Sequence, residues 1–263
     1  MVDNITIKNF GEQWLKFQDT SGFFGSLQLF EDFISPFAID DFANKKVADI
    51  GAGTGRFSLS LLEAGAKEVI VLEPSDAIQV AKEKLCKYAQ KVRFLNITGE
   101  KLSADECLDV AISIGVIHHI PQPIPVIQAV YKALKPGGKF IIWLYGKENN
   151  RLYLVFLLPL RLFVKRLPSW GKSFVANTLN FLLSGYVKFC KIIPYKVPLK
   201  DYILSIIEPL PKDKRKLVIY DQLNPRYAKY YTRQEAIRLM SCVPFNVEIY
   251  HRKKYSWVVI GTK

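Results

Sequence analysis

Two adjacent histidines, His118 and His119, follow an apolar run at residues 109–113. Imidazole titrates near neutrality, so a histidine at the end of a strand can take a proton from a reacting nucleophile. Farther upstream, two carboxylates bracket a glycine-rich turn. Asp49 precedes Gly51, Gly53 and Gly55, and Glu73 lies 22 residues beyond Gly51. A carboxylate accepts two hydrogen bonds from a vicinal diol, the task of an acid about 20 residues past such a turn. Glycines at every second position admit positive φ and leave no Cβ in the way of a bound group. The chemistry in view is a nucleotide-type cofactor held by a glycine turn, with a base farther along the chain. Only three histidines exist (118, 119 and 251), and no carboxylate stands near the pair at ligand spacing, so no metal site is expected.

These residues need a sheet to position them. Val47–Ile50 is a short apolar run that ends in the glycines, and Phe57, Leu61 and Leu62 follow with helical spacing up to Gly65. Val69–Leu72 is a second continuous apolar run, as expected of a buried parallel strand. Ser75 can cap a helix bearing Ile78, Ala81, Leu85 and Tyr88 on one face. Val92–Leu95 and Asp109–Ser113 read as further strands, Ile124–Leu134 as a helix, Lys135–Gly138 as a turn and Lys139–Leu144 as a strand. The spacing Thr232-Arg233-Gln234-Glu235 predicts a capping box on a last helix, and Phe245–Tyr250 with Ser256–Ile260 a hairpin about His251–Lys254. The order β, glycine turn, α, β is that of an open α/β sheet, whose ligands bind at the carboxyl ends of the strands.

The glycine spacing narrows the cofactor. A dinucleotide fingerprint needs its third glycine where this chain has Arg56, which disfavours a nicotinamide-dependent oxidoreductase. The sequence 49–55, with its acid two residues before the first glycine, resembles the loop of the class I (Rossmann-like) S-adenosylmethionine (SAM)-dependent methyltransferases, in particular the type 11/12-like small-molecule group. The stretch Leu134-Lys135-Pro136-Gly137-Gly138 is similar to that family's post-helix turn. The resemblance implies a doubly wound, mostly parallel seven-stranded sheet of order 3-2-1-4-5-7-6, last strand antiparallel, with helices on both faces and a mainly helical lid insertion. It implies cofactor contacts at Asp49, Gly51, Ala52, Gly53, Gly55, Glu73, Pro74 and Gly115. Thr98, Gly99 and Glu100 fall where the family often has an Asp facing adenine, so that contact passes to Thr98, Glu100 or backbone. His119, ahead of His118, is the candidate base, with one histidine packed as a structural residue and the other merely bordering the pocket as the plainer reading. Trp14, in an aromatic lead-in similar to the family's, and Arg226, Tyr227 and Tyr231 are candidate acceptor contacts, with Gln13 and Thr20 weaker ones.

Charge sets the second half apart. Residues 1–150 carry 16 Lys+Arg against 18 Asp+Glu, net −2, and residues 151–263 carry 21 against 6, net +15. Such asymmetry points to an anionic partner for the second half. Within it, Leu152–Val164 and Phe174–Ile193 are apolar stretches too short or too interrupted for membrane spans. They read as a helical lid, or as a membrane-facing amphipathic surface. The four scattered cysteines (86, 107, 190, 242) read as reduced thiols, and the start Met1-Val2-Asp3-Asn4 lacks a signal-peptide pattern. The expected location is therefore cytoplasmic, with peripheral membrane contact as the variant.

The expectation is one methyltransferase domain over 1–263: a helical cap at 1–40, a SAM-binding core at 41–146, a helical insertion at 147–230, and a terminal helix and hairpin at 231–263. The expected activity is methyl transfer from SAM, giving S-adenosylhomocysteine, to an oxygen or nitrogen of a small, anionic or lipid- or sugar-like acceptor. The alternatives are an RNA- or protein-modifying methyltransferase, with nucleic acid the weaker partner, and a non-catalytic SAM-binding protein.

Overall fold

The computed structural model describes residues 4–263; Met1–Asp3, on which the reading of the N-terminal leader partly rests, lie outside the described residues. Seven strands form one sheet: β1 (Lys46–Ile50), β2 (Glu68–Leu72), β3 (Val92–Leu95), β4 (Leu108–Ile114), β5 (Leu134–Tyr145), β6 (Asn246–Arg252) and β7 (Ser256–Thr262). Their order is β3-β2-β1-β4-β5-β7-β6, and β7 alone runs opposite to the other six. This is the expected sheet.

Alternation along the strands divides the core in two. Ala48, Ile50, Ile70, Leu72 and Ala111 pack on one face with Val126, Ile127 and Val130 of α5 (Ile124–Ala133) and Ala236 and Met240 of α10 (Arg233–Met240). Val47, Val69, Val71, Val110 and Ile112 pack on the other. There they meet Phe30 and Ile34 of α2 (Leu27–Ile34), Phe57 and Leu61 of α3 (Arg56–Glu63), and Ala81 of α4 (Ala77–Lys84). Helices on both faces explain why the parallel strands are continuously apolar instead of alternating with polar residues. The predicted capping box is present: Glu235 N–H donates to Thr232 Oγ1 at 3.2 Å and Thr232 N–H to Glu235 Oε2 at 2.9 Å.

Two elements differ from the sequence expectation. The strand placed at Lys139–Leu144 already begins at Leu134, which pairs with Leu108 before a register shift to Val110–Lys139, so Lys135–Gly138 is an irregular part of β5. Gly137 N–H bonds to Lys263 O at 2.8 Å, which draws this stretch along the end of the chain. The helix begun at α4 ends at Lys84, and Tyr88 has a non-helical backbone. Leu85 nevertheless reaches the core, as its spacing requires.

The chain divides into two compact units, one running up to Lys147 and resuming at Tyr227–Lys263, the other Glu148–Arg226. The second is helical: α6 (Arg151–Val164), α7 (Ser169–Ile192), the short α8 (Lys200–Tyr202) leading into a π-helical turn (Ile203–Ile207), and α9 (Lys212–Leu223). No described helix is long and apolar enough to cross a membrane.

Candidate functional site

The first unit gathers most of the candidate residues at the carboxyl ends of β1, β2 and β4. After Ile50 the chain turns through Gly51 and Gly53, whose φ values of +76° and +56° strain any residue with a Cβ. A Cβ at Gly51 would lie 2.7 Å from Val116 and one at Gly53 3.1 Å from Trp14 Nε1. The N–H groups of Gly51 and Ala52 both donate to Leu72 O, at 2.8 and 3.0 Å, which ties the loop to the end of β2. Gly55 then leads into α3.

A buried carboxylate stands on each side of this loop. Asp49, on the face of β1 toward α3, accepts from Ser58 Oγ at 2.6 Å and so holds the helix that follows the glycines. Burial raises its pKa from the ordinary 3.8 to about 6, against the opposing Ser58 bond. Glu73 is buried as well. Its Oε2 accepts from Gly53 N–H at 2.9 Å, and its Oε1 accepts from both the N–H (2.9 Å) and hydroxyl (2.5 Å) of Ser75. Burial raises the Glu73 pKa, offset in part by the Ser75 bonds. With one bond at Oε2, the carboxylate keeps acceptor capacity for another donor. Pro74 is half-buried between these partners. Asn96 Nδ2 donates to Glu73 O at 2.8 Å and fixes the end of β2 against the residue after β3.

Farther along the same edge, Thr98, Gly99 and Glu100 are half-buried. A Cβ on Gly99 would lie 2.8 Å from Ile50 and from Val126, which sets this segment against the end of β1. Thr98 Oγ1 and Glu100 Oε2 are buried atoms with no hydrogen-bond partner among the described residues. Buried polar groups are ordinarily satisfied, so these two are ready to bind a polar ligand. Gly115, at φ +80°, has no atom within 4 Å of a Cβ position and borders open space.

Helix α1 (Asn4–Lys16) runs over this edge. The ring of Phe10 lies 4.8 Å from that of His119, a Cβ on Gly11 would lie 2.9 Å from Ser75 Cβ, and Trp14 meets Gly53. Gln13 is buried, and Thr20 accepts from Lys84 Nζ at 2.5 Å.

The two histidines differ. His118 is fully buried, its ring 3.8 Å from that of Tyr145 and 5.7 Å from that of Trp143, in an aromatic cluster. The His119 Nδ1 lies 3.0 Å from the Tyr227 carbonyl oxygen. A carbonyl only accepts, so Nδ1 carries the proton and the neutral ring has its basic nitrogen at Nε2. Tyr227 thus meets the site through its backbone, and its half-buried side chain belongs to the same unit. Tyr231 is core: its ring packs in the cluster of α5 and α10, its carbonyl accepts from Trp257 Nε1 at 3.0 Å, and burial raises its hydroxyl pKa. Arg226 is exposed at the end of the helical unit. Among the described residues, no group of three or more His, Cys, Asp or Glu is placed to hold a metal ion.

The donor set fits SAM. Glu73 offers an acceptor for ribose hydroxyls, the glycine loop admits close approach of the methionine part, and Thr98 and Glu100 offer unsatisfied polar atoms beside it. Sequence reasoning missed Ser58 and Asn96 and read Ser75 only as a helix cap, whereas the three hold the two acids and the end of β2.

Comparison with known proteins gives the same reading. Residues 48–142 match a family described as a methyltransferase domain. A ubiquinone biosynthesis O-methyltransferase of Hydrogenovibrio crunogenus is 29% identical over 165 residues, covering 60% of this chain and 66% of that protein. One of Pseudomonas entomophila is 30% identical over 134 residues, covering 50% and 57%. The chain spans between about half and two thirds of the length of these relatives. Among solved structures, an O-methyltransferase family protein from Burkholderia thailandensis superposes with a TM-score of 0.57 at 12% identity, covering 99% of this chain and 60% of that one. Human N-acetylserotonin methyltransferase in complex with SAM gives 0.55 at 14%, covering 97% and 56%. At such identities these structures share the fold.

Proposed function

We propose that the chain is a class I, Rossmann-like SAM-dependent methyltransferase that transfers the SAM methyl group to an oxygen of a small acceptor. The observation that carries this reading is the loop after β1, where positive-φ glycines run between two buried carboxylates, Asp49 and Glu73. Bound SAM supplies an electrophilic methyl group, so the protein's part is to bind and align.

In this reading Glu73 holds the ribose hydroxyls while Gly53 and Ser75 fix its carboxylate. Asp49 holds α3 through Ser58 and sets a negative charge beneath the loop, suited to a cationic amino group. Gly51, Ala52, Gly53, Gly55, Pro74 and Gly115 frame the cofactor, and Thr98, Gly99 and Glu100 border its base. His119, with its tautomer set by the Tyr227 carbonyl, takes the acceptor's proton at Nε2, and His118 packs behind it against Tyr145. Trp14 and Tyr227 border the acceptor. Arg226 is the proposed contact for an anionic group and Tyr231 supports the adjoining backbone.

The sequence relatives are O-methyltransferases, which supports oxygen as the nucleophile. The helical unit has an apolar cavity of its own of about 220 Å³, lined by Leu157, Leu160, Leu183, Ile203 and Leu223 among others. The test is mass spectrometry of small molecules that co-purify with the chain, followed by assay of each for SAM-dependent gain of one methyl group. His119→Asn is expected to lower kcat by ~100-fold with SAM affinity retained. An unchanged kcat removes the base from the mechanism.

A further inference from the structure

The helices of Glu148–Arg226 carry an apolar surface that their own core does not use. In α6 the inward face is Leu154, Leu157 and Val164, while Leu152, Val155, Phe156, Leu162 and Phe163 recur at helical spacing on the opposite face and are exposed. In α7, Trp170, Phe174, Phe181 and Ile192 likewise line one stripe, exposed by 68 to 82%. Among the described residues, thirteen of the seventeen exposed large apolar side chains lie between Leu152 and Tyr195. Single exposed apolar residues need no explanation, but contiguous ones mark an interaction surface.

The charge around them identifies the partner. Residues 149–200 contain nine Lys and Arg and no Asp or Glu. Arg151, Lys165, Arg166, Lys188 and Lys196 are exposed among the apolar side chains. We infer that α6 and α7 dock on the surface of an anionic lipid bilayer, aromatic and aliphatic side chains entering the interface and the cations meeting lipid phosphates. An aromatic-rich apolar stripe flanked by Lys and Arg is the chemistry of a helix lying in the interfacial plane. A second copy would bring one acid-free cationic face against another, and like charges oppose that. Nucleic acid would meet the cations but would leave the Phe and Leu side chains without a partner. The inference is independent of the cofactor assignment, since it uses no residue of the sheet.

Co-sedimentation of the full chain with vesicles of phosphatidylglycerol and phosphatidylcholine, against vesicles of phosphatidylcholine alone, tests it. The chain is expected to pellet with the anionic vesicles and at least tenfold less with the neutral ones. The double variant Phe163→Asp, Phe174→Asp is expected to lose vesicle binding at least tenfold while keeping its circular dichroism and SAM affinity. Lys165→Glu with Lys188→Glu, which leaves the apolar stripe intact, is expected to reduce binding to anionic vesicles alone. Equal binding to both vesicle types overturns the anionic-lipid claim. Binding unaffected by the Phe variants, or Phe variants that change oligomeric state with no wild-type vesicle binding, overturns the docking face itself.

Discussion

The carboxyl edge of the sheet and the helical unit Glu148–Arg226 treat side chains in opposite ways. At the sheet edge, charged groups are buried and held by neighbours: Asp49 by Ser58, and Glu73 by Gly53 and Ser75. In the helical unit, apolar groups such as Phe163, Trp170 and Phe181 are exposed and surrounded by cations. Each arrangement runs against the general rule for its residue type, and a bound ligand is the physical reason we propose for each. A preorganised carboxylate awaits a polar cofactor, whereas an exposed Phe stripe awaits an apolar partner. The two regions should therefore respond to different perturbations.

The largest expected contrast is in pH. The folded pKa of Asp49 is raised from 3.8 to about 6, so the folded state holds a proton that the unfolded chain releases. Stability from this group is present below about pH 4 and is lost as pH rises through about 6, by ~3 kcal/mol. Urea unfolding of wild type and Asp49→Asn between pH 4 and 7 should show the difference shifting in favour of the variant by that order. A pH-independent difference breaks the account of Asp49 as a strained acid.

Substitution at the loop comes next. Gly53→Arg places a side chain at positive φ, against Trp14 and in the proposed cofactor space, and should weaken SAM binding ~100-fold or more, about 2.7 kcal/mol. Unchanged affinity in a folded variant removes the loop from the cofactor site. Glu73→Gln keeps the shape but can accept at only one atom while Gly53 N–H still needs a partner; SAM affinity should fall ~10-fold by calorimetry. At the small end, Phe181→Ser in the helical stripe should move unfolding stability by less than ~0.5 kcal/mol and leave SAM affinity unchanged. A loss of several kcal/mol there would mean the ring is core after all, and the contrast between the regions would dissolve.

The strands were legible because each buried parallel strand is a short apolar run bounded by turn residues, as in Val69–Leu72 and Asp109–Ser113, while their order in the sheet came from the family resemblance alone. The two acids and the glycine loop were legible because their spacing is local. Their supports were not. Ser58 lies nine residues from Asp49 and Asn96 23 from Glu73, and only the fold brings those pairs together. The same holds for Trp14, which meets Gly53 because α1 crosses the strand ends. The early start of β5 at Leu134 was hidden because Pro136 and two glycines read as a turn, while pairing with Leu108 and the chain end overrode that preference. His118 and His119 look alike in sequence, and only their neighbours separate them, an aromatic cluster for one and a backbone carbonyl for the other.

The central claim is that the loop after β1 binds SAM. Isothermal titration of the full chain with SAM, and separately with NAD, measures it directly. The account predicts saturable one-to-one binding of SAM and no heat from NAD. A folded chain that binds NAD, or that gives no saturable heat with SAM, contradicts it.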